Sequence, residues 1–597
     1  MKPRTLIITA AATSVGLLGA SPFLGSAQTD VDEGLTALGV YDSGDGEGGS
    51  EIIAFDAVTN QMFTTNGVDN TIDVVDVSNP AAPTLVTQLD ISSYGAGIQS
   101  VAVGDGLVAA AVANADPVLP GAVAVFTTAG AFDQVYTVGV LPDSIAFTPD
   151  GRYIVVANEA EPVCDGTSLD VDPAGSISII DTQNDTVATA DFTDFDGTEA
   201  AMRAENIRIF FPGSTASQDL EPEYVAITPD GTTAHVTLQE NNAIAVVDIA
   251  TATVTDIVPL GYKDHSLDGN GLDPSNRDNA EAIATWNVLG MYQPDAISVV
   301  DIDGTLYTVS ANEGDARDYD CFSEEERVGD FGVAQPPYAA TDGDDENLGR
   351  LRTTSAFPTT FNGAGEIEQV YSYGARSFTI RALDGTVVFD SGDDFEQRLL
   401  GTDFFNLDEL ETDERSDDKG PEPEALAVGV IEGRTFAFIG LERSGGVMMY
   451  DISTPSAPVF IDYLNTAETT DQAQNLVTGG GDVSPEGIAF ISAADSPTGV
   501  PLLAVSFEVS GTSRLMRVDV APAPVDTTTT TTTMPDATTT MPPATATPTT
   551  AAPVTTANPV TELPATGSSN SNTALIALLL LCGGGAVLIA ARRRPLT

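Results

Sequence analysis

One short phrase recurs along this chain: a proline, an acidic residue and then a run of apolar residues. In each copy a second β-rich run follows and ends in an acid, and a third run and commonly a fourth come after it. Gly, Pro, Asn and Asp separate the runs, which is typical of short strands joined by tight turns. Four short strands per repeat predict the blade of a β-propeller. The copies are Pro142–Phe147, Pro222–Ile227, Pro294–Val299, Pro423–Val428 and Pro485–Phe490.

Counting the first strands gives seven units, which start near Glu51, Gln99, Asp143, Glu223, Asp295, Glu424 and Glu486. The last unit lacks a fourth strand after Arg517–Asp519. At the N-terminal end of the chain, the predicted strand Leu35–Tyr41 belongs to none of the seven units. If this N-terminal strand completes the last unit, the ring closes and no open edge remains. The sequence therefore predicts an all-β, seven-bladed β-propeller of four-stranded blades over residues 34–520. The alternative count is eight blades.

The fifth unit is interrupted. Its first two strands end at Asn312 and Glu313, and its third and fourth strands are predicted only at Ser377–Ile380 and Thr386–Phe389. The sequence between them is acidic and loop-like. Long insertions of this kind usually serve a function, so we expect a functional loop inserted into one blade.

The repeat places its acids in register. In a propeller the residue that enters the first strand and the residue that leaves the second lie at the same rim of the axial channel. Crowded carboxylates raise one another's pKa or require a cation, and oxygen ligands in this number suit Ca²⁺ better than Mg²⁺. The entering acids are Glu51, Asp143, Glu223, Asp295, Glu424 and Glu486, and the leaving acids are Glu159, Glu240, Glu313, Glu442 and Glu508. We expect a Ca²⁺ site among them, with Glu223, Glu313, Glu424 and Glu486 as first candidates.

The overall charge provides a competing interpretation. The chain has 87 acidic and 23 basic residues and a formal net charge of -64, so many carboxylates are expected to be solvated surface groups. A surface role does not explain why a glutamate repeatedly stands between a proline and an apolar strand. The same acidity argues against nucleic acid as a partner.

Histidine and cysteine are scarce. With only two histidines, His235 and His265, the chain offers little for a Ser-His-Asp or Cys-His apparatus. Cys164 and Cys321 follow second strands of the third and fifth units, and outside the cell such a pair can be oxidised to a disulfide. Because those units are not adjacent, the sequence allows either two free thiols or a disulfide between Cys164 and Cys321.

The two ends of the chain predict where it works. Residues 1–27 have the basic start, apolar run and small residues of a signal peptide. Residues 521–562 are almost entirely Thr, Pro and Ala, which predicts a disordered, extended stalk. Residues 563–597 resemble a sortase sorting signal: Leu563–Gly567, an apolar transmembrane segment over 573–591 and a basic tail. Sortase is expected to cleave between Thr566 and Gly567 and to join the chain to peptidoglycan; the alternative is a single-pass membrane anchor.

Several longer phrases carry a family resemblance. They are Gly261–Ser266, Ala311–Arg317, Gly374–Ile380, Val388–Glu396, Asp417–Glu424 and Gly440–Gly446. Together they resemble the choice-of-anchor I family over residues 35–520. The resemblance implies an extracellular propeller found with varied C-terminal anchors. Members of that family resemble mesenchyme-specific cell-surface glycoproteins, and some bacterial relatives are labelled atypical alkaline phosphatases.

Two functions follow as expectations. The first is a monomeric, Ca²⁺-stabilised surface binding or adhesion module for an extracellular ligand. The second is a Ca²⁺-dependent phosphomonoesterase, in which metal-bound phosphate also needs cationic donors. Lys263, His265, Arg317 and Arg376 are the candidate phosphate contacts. The competing interpretation is that these side chains form salt bridges with the abundant carboxylates.

Overall fold

The computed structural model describes residues 33–408, 411–468 and 481–521. All of them lie in one compact unit, Met1–Ala523. The predicted signal peptide, the sorting signal with its apolar segment 573–591, and all of the predicted stalk except Ala521 lie outside the described residues. Within the described ranges, no helix has both the length and the apolar character needed to cross a membrane.

The described chain is all-β and forms four-stranded antiparallel sheets, as the repeat predicted. Seven such sheets are described, numbered here in chain order. Sheet 1 contains Ile53–Asp56, Gln61–Asn66, Thr71–Asp76 and Thr84–Asp90; sheet 2 contains Gly97–Gly104, Leu107–Ala113, Pro120–Thr127 and Phe132–Val140; sheet 3 contains Pro142–Phe147, Tyr153–Asn158, Ser176–Asp181 and Thr186–Asp191. Sheet 4 contains Val225–Ile227, Thr233–Leu238, Ala243–Asp248 and Thr253–Pro259; sheet 5 contains Ile297–Ile302, Thr305–Asn312, Ser377–Ala382 and Val387–Asp390. Sheet 6 contains Pro423–Ile431, Arg434–Leu441, Val447–Asp451 and Val459–Leu464; sheet 7 contains Pro485–Ile491, Leu502–Phe507, Thr512–Asp519 and Gly34–Asp42.

Burial differs systematically between the strands of a sheet. The second strand of sheet 3, Tyr153–Asn158, is buried at every position but its first, whereas the fourth, Thr186–Asp191, is exposed at every position but Ala190. A strand covered on both faces needs a continuous apolar run, and an outer strand facing water on one side does not. This explains why second strands such as Leu107–Ala113 and Leu502–Phe507 are almost continuously apolar.

The hydrophobic core is divided among the spaces between consecutive sheets. Phe63 and Val108, for example, belong to a cluster between sheets 1 and 2, and Val155 and Val236 to one between sheets 3 and 4. Equivalent clusters pack the other consecutive pairs, including Met62 and Leu515 between sheets 1 and 7. The first strands of the sheets also contact one another in chain order, and that of sheet 7 contacts that of sheet 1. This arrangement is consistent with a propeller-like fold.

The N-terminal strand completes the last sheet. Gly34–Asp42 pairs antiparallel with Thr512–Asp519, and the register places Leu35 opposite Val518 and Tyr41 opposite Ser513. The predicted completion of the last unit by this strand is therefore confirmed. Because each strand edge in a sheet offers unpaired backbone groups, this pairing satisfies an edge that Thr512–Asp519 would otherwise expose.

The insertions before and within sheet 5 are more structured than the sequence suggested. Tyr262–Asp264, Val288–Met291 and Val370–Ser372 form a three-stranded sheet, and Glu325–Arg327 pairs with Arg352–Thr354. A separate apolar cluster that includes Leu348 and Ile367 packs beneath them. The expectation of a loop-like insertion was wrong to this extent, because strands of two to four residues leave too little periodicity to detect.

Two further hairpins and a few short helices complete the described chain. Asp318–Tyr319 pairs with Phe322–Ser323, and Val163–Asp165 pairs with Ser168–Val171. The helices are Glu199–Ala204, Ala216–Asp219, Val328–Phe331 and Asp394–Leu399, with 3₁₀ turns at Thr193–Phe195 and Leu348–Arg350. A disulfide between Cys164 and Cys321 links the hairpin after the second strand of sheet 3 to the insertion in sheet 5.

Candidate metal centre

A backbone hydrogen bond repeated in three sheets fixes where the acids lie. In sheets 3, 6 and 7 the residue before the repeat proline adopts a left-handed conformation, at Leu141 (φ 47°), Glu422 (φ 51°) and Ser484 (φ 62°). Its carbonyl accepts the N–H of the acid that follows the second strand. These bonds run from Glu159 to Leu141 (2.9 Å), from Glu442 to Glu422 (2.7 Å) and from Glu508 to Ser484 (2.9 Å). Since non-glycine residues rarely adopt positive φ, the repeated conformation marks these positions as functional candidates.

Carboxylates from neighbouring sheets converge into three groups, in each of which the ligand oxygens lie within 4.8 Å of one another. We call them triads A, B and C. Triad A is Glu159, Glu223 and Glu240; triad B is Asp295, Glu313 and Glu424; triad C is Glu313, Glu422 and Glu442. Seven of the eleven predicted acids are members. Triad A joins sheets 3 and 4, and triads B and C join sheets 5 and 6 through the shared Glu313.

The remaining predicted acids lie outside the triads. Glu51, Glu486 and Glu508 interact electrostatically with one another at the junction of sheets 7 and 1. Burial and the charge of Glu508 raise the pKa of Glu51 to about 8. Burial, and after it the negative charges of Glu508 and Glu51, also raise the pKa of Glu486 well above its usual value. Asp143 interacts with Tyr224, as Asp295 does, and is not a triad member.

The triad carboxylates share a low-dielectric environment. Burial, followed by repulsion from Glu442, Glu313 and Asp295, raises the pKa of Glu424 well above its usual range. Burial raises the pKa of Glu442 to about 8, although Arg443 opposes the shift. Groups of this kind either hold protons at neutral pH or are neutralised by a cation.

Basic side chains contact all three members of triad C. Lys419 Nζ pairs with Glu313 Oε1 and lies 3.1 Å from Glu422 Oε2. Arg415 Nε lies 2.6 Å from Glu422 Oε1, and Arg443 binds Glu442 Oε1 at 2.8 Å. Three carboxylates are thus matched by three cations.

Triad A is surrounded by further acids. Glu221, which is 0% exposed, interacts electrostatically with Glu240 and with Glu161. Its pKa is raised well above the usual value, first by burial, while Arg317 lowers it. Arg317 is itself bound to Asp219 and Glu221. The acids near triad A thus include Glu161, Asp219 and Glu221 as well as its own members.

Two of the four candidate phosphate contacts precede sheet 5 and are buried. Lys263 Nζ donates to the carbonyls of Ala375 (2.8 Å) and Gly392 (2.6 Å) and lies 3.2 Å from Asp390. His265 Nδ1 lies 2.7 Å from the carbonyl oxygen of Asn270, and burial lowers its pKa well below the usual value. Lys263 therefore binds the end of the fourth strand of sheet 5 and residues close to it, and His265 binds the insertion before that sheet.

The two arginines are equally engaged. Arg317 donates to Asp219 Oδ1 at 2.6 Å and to Glu221 Oε2 at 3.0 Å. Arg376 donates to Glu396 and, at 2.8 Å each, to the carbonyls of Ser416 and Asp418. To contact a substrate phosphate, these side chains would have to exchange existing partners, so their role in phosphate binding stays a prediction.

Sequence reasoning missed Glu422 and Lys419. Glu422 stands before the repeat proline, a position that holds glutamate in one other copy, at Glu221, and Leu, Gln or Ser in the remaining three, so the repeat gave only a weak signal for it. Lys419 is one of only three lysines in the chain, the others being Lys2 and Lys263. A lysine in the otherwise acidic segment before the sixth unit was the available clue.

The donor set suits a hard cation. All the triad ligands are carboxylates, which favour Ca²⁺ or Mg²⁺ over transition metals. Within the described residues, Glu424 Oε2 and Glu486 Oε2 are buried and have no hydrogen-bond partner. Such oxygens are suited to coordinate a cation, because a buried carboxylate oxygen without a partner destabilises the folded state.

Two relatives are similar to parts of the chain. Gigasin-3a of Magallana gigas is 30% identical over 169 residues, covering 26% of this chain and 59% of that protein. The mesenchyme-specific cell surface glycoprotein of Strongylocentrotus purpuratus is 27% identical over 293 residues, covering 41% of this chain and 37% of that protein. The chain thus spans less than two thirds of the length of either relative. Among solved structures, the Kuenenia stuttgartiensis hydrazine synthase aligns with a TM-score of 0.40 and 13% identity, over 84% of this chain and 99% of that one.

Two family models match the chain. The LPXTG cell wall anchor motif matches residues 555–594, which include the predicted sorting signal. The chain is therefore an extracellular surface protein attached covalently to the cell wall. The choice-of-anchor I domain matches residues 51–455, more than half of the chain. On that match, the protein belongs to the choice-of-anchor I family.

Proposed function

We propose that this protein is a surface binding or adhesion module, a closed seven-bladed β-propeller whose acid triads bind Ca²⁺. The single observation that carries the proposal is the convergence of carboxylates from neighbouring sheets into triads A, B and C, with ligand oxygens within 4.8 Å. Residues far apart in sequence meet there only because of the fold. A cation at the triads would therefore tie neighbouring sheets together.

The propeller assignment is supported by the contacts between sheets. The first strands touch in chain order, sheet 7 touches sheet 1, and an apolar cluster fills each junction. In such a ring the acids before the first strands and after the second strands lie near one another. Electrostatic coupling of Glu486 with Glu51 on one side and with Glu442 and Asp295 on the other supports this proximity.

Calcium titration of the processed chain, residues 28–566, tests the proposal. Isothermal titration calorimetry should give saturable Ca²⁺ binding, and the melting temperature should rise with Ca²⁺ and fall after chelation, since a ligand of the folded state stabilises it. Mg²⁺ at the same concentration should stabilise less, because it requires a smaller octahedral site. Absence of saturable binding together with an unchanged melting temperature would refute the Ca²⁺ assignment.

A second candidate function is Ca²⁺-dependent phosphomonoester hydrolysis. It is favoured by Lys419 and Arg443, which place cationic donors beside the carboxylates of triads B and C. A metal-bound phosphate needs such donors. Turnover of p-nitrophenyl phosphate that is lost on chelation, and in the Glu313→Gln, Glu424→Gln double variant, would support the enzyme. Ca²⁺-dependent stability without turnover supports the binding module.

A further inference from the structure

Lys419 is held in an unusual position for a lysine. It is 4% exposed, and its ammonium lies between Glu313 and Glu422, the latter 0% exposed. A buried ammonium is strongly disfavoured unless charged partners surround it. Triad C provides those partners, and its ligand oxygens lie within 4.8 Å of one another, as they would around a small cation.

The backbone around Lys419 is fixed by Arg376. This guanidinium donates 2.8 Å hydrogen bonds to the carbonyls of Ser416 and Asp418, which precede Lys419 in the chain. Gly420, at φ 68°, lies so close to Arg376 that a Cβ there would stand 2.9 Å from its Cδ. Arg376 therefore holds the backbone next to Lys419.

Glu313 connects this ammonium to triad B. Its Oε1 pairs with Lys419, and its Oε2 accepts a 3.0 Å hydrogen bond from Gln239. A cation at triad B and the ammonium in triad C would therefore share one carboxylate. Two cations on the same ligand weaken each other's binding through Coulomb repulsion.

We infer that Lys419 is a tethered cation that occupies triad C and keeps a metal ion out of it. The inference rests on the proposed function and deepens it by excluding one of the three triads as a metal site. It also makes Lys419 a determinant of affinity at triad B. A chain without this ammonium should bind one more divalent cation.

The test counts Ca²⁺ ions bound to the processed chain by native mass spectrometry and calorimetry. Lys419→Met keeps the length of the side chain and removes its charge, and it should bind one Ca²⁺ more than the wild type. Lys419→Arg, which keeps the charge, should bind the wild-type number. Adding Glu422→Gln to Lys419→Met removes one carboxylate of triad C and should restore the wild-type number.

An unchanged Ca²⁺ count in Lys419→Met would overturn the inference. If Lys419→Met folds only when Ca²⁺ is present, as judged by circular dichroism, the metal has replaced the ammonium and the inference is supported. If it is unfolded with and without Ca²⁺, and the Lys419→Met, Glu422→Gln variant is also unfolded, the inference fails. Should the wild type bind no Ca²⁺, the proposed function fails separately, while a site gained in Lys419→Met would still support the role of Lys419.

Discussion

Cys164 and Cys321 are separated by 157 residues in the chain, yet they form a disulfide with Cα atoms 5.6 Å apart. The bond joins the hairpin after the second strand of sheet 3 to the insertion in sheet 5. It therefore fixes elements that are not neighbours in the order of sheets. Among the described residues, it links the insertion in sheet 5 covalently to the hairpin that follows the second strand of sheet 3.

Replacing both cysteines with serine should lower the free energy of unfolding by about 2–5 kcal/mol, because the unfolded chain loses a long closed loop. Urea denaturation of the variant and the wild type measures the difference. Reducing the wild-type bond with dithiothreitol should produce a similar loss. Identical unfolding midpoints for the oxidised and reduced protein would contradict the prediction.

Glu424→Gln should weaken Ca²⁺ binding at triad B by about tenfold or more, equivalent to roughly 1.4 kcal/mol. The substitution keeps the shape of the side chain but removes the charge that coordinates the cation. Calorimetric titration measures the affinity. Glu432→Gln, at an exposed turn of the same sheet, is the matched control and should bind as the wild type does. Equal affinities for both variants would argue against triad B as the site.

Stability without Ca²⁺ should fall as the pH rises from about 6.5 to about 8. The pKa values of Glu51 and Glu442 are raised from 4.5 to about 8 in the folded state. In this window the folded protein keeps protons that the unfolded chain has lost, so stability present at low pH is lost as the pH approaches 8. Below about 6.5 the lowered pKa values of His235 and His265 act in the opposite direction.

The melting temperature in chelator at a series of pH values measures this slope. Excess Ca²⁺ should reduce the slope, since the metal binds the deprotonated carboxylates. The Glu51→Gln, Glu442→Gln double variant should also show a flatter profile. A melting temperature that rises with pH between 6.5 and 8 in chelator would be inconsistent with buried, protonated carboxyls.

Arg317→Met should lower the free energy of unfolding by about 3–5 kcal/mol, because it leaves Asp219 and Glu221 as buried charges without their cation. Urea denaturation measures the loss. Arg152→Met removes a partly exposed ion pair with Asp181 and should cost no more than about 1 kcal/mol. If Arg317→Met retained full stability and lost only phosphatase activity, Arg317 would be a phosphate contact.

Much of the sheet structure was predictable because each repeat has a local signal. Apolar runs such as Tyr153–Asn158 and the proline before five of the six entering acids mark strands directly in the sequence. The convergence of Glu159 with Glu223 followed from assuming that the repeats pack side by side. Local pattern and packing agree at these positions, so sequence reasoning was sufficient.

The partners of the basic side chains could not be predicted in the same way. Lys263 and Arg376 bind backbone carbonyls that lie 112 and 40 residues away in the chain, respectively. Carbonyls are present at every residue and carry no sequence signal. The place of Lys419 in triad C had one local clue, a lysine in an acidic segment, but its partner could not be identified because the contact with Glu313 spans 106 residues.

The completion of sheet 7 by the N-terminal strand has a mechanical consequence. The strand Thr512–Asp519 lies between Gly34–Asp42 and Leu502–Phe507, and Ala521 N donates to Glu33 Oε1 at 3.0 Å. Any pull transmitted from the wall attachment enters the folded domain at this point. Tension must break two ladders of hydrogen bonds together to extract the strand, whereas a strand at the edge of a sheet would be held by one. The anchored end of the folded domain is therefore a strand that is paired on both sides.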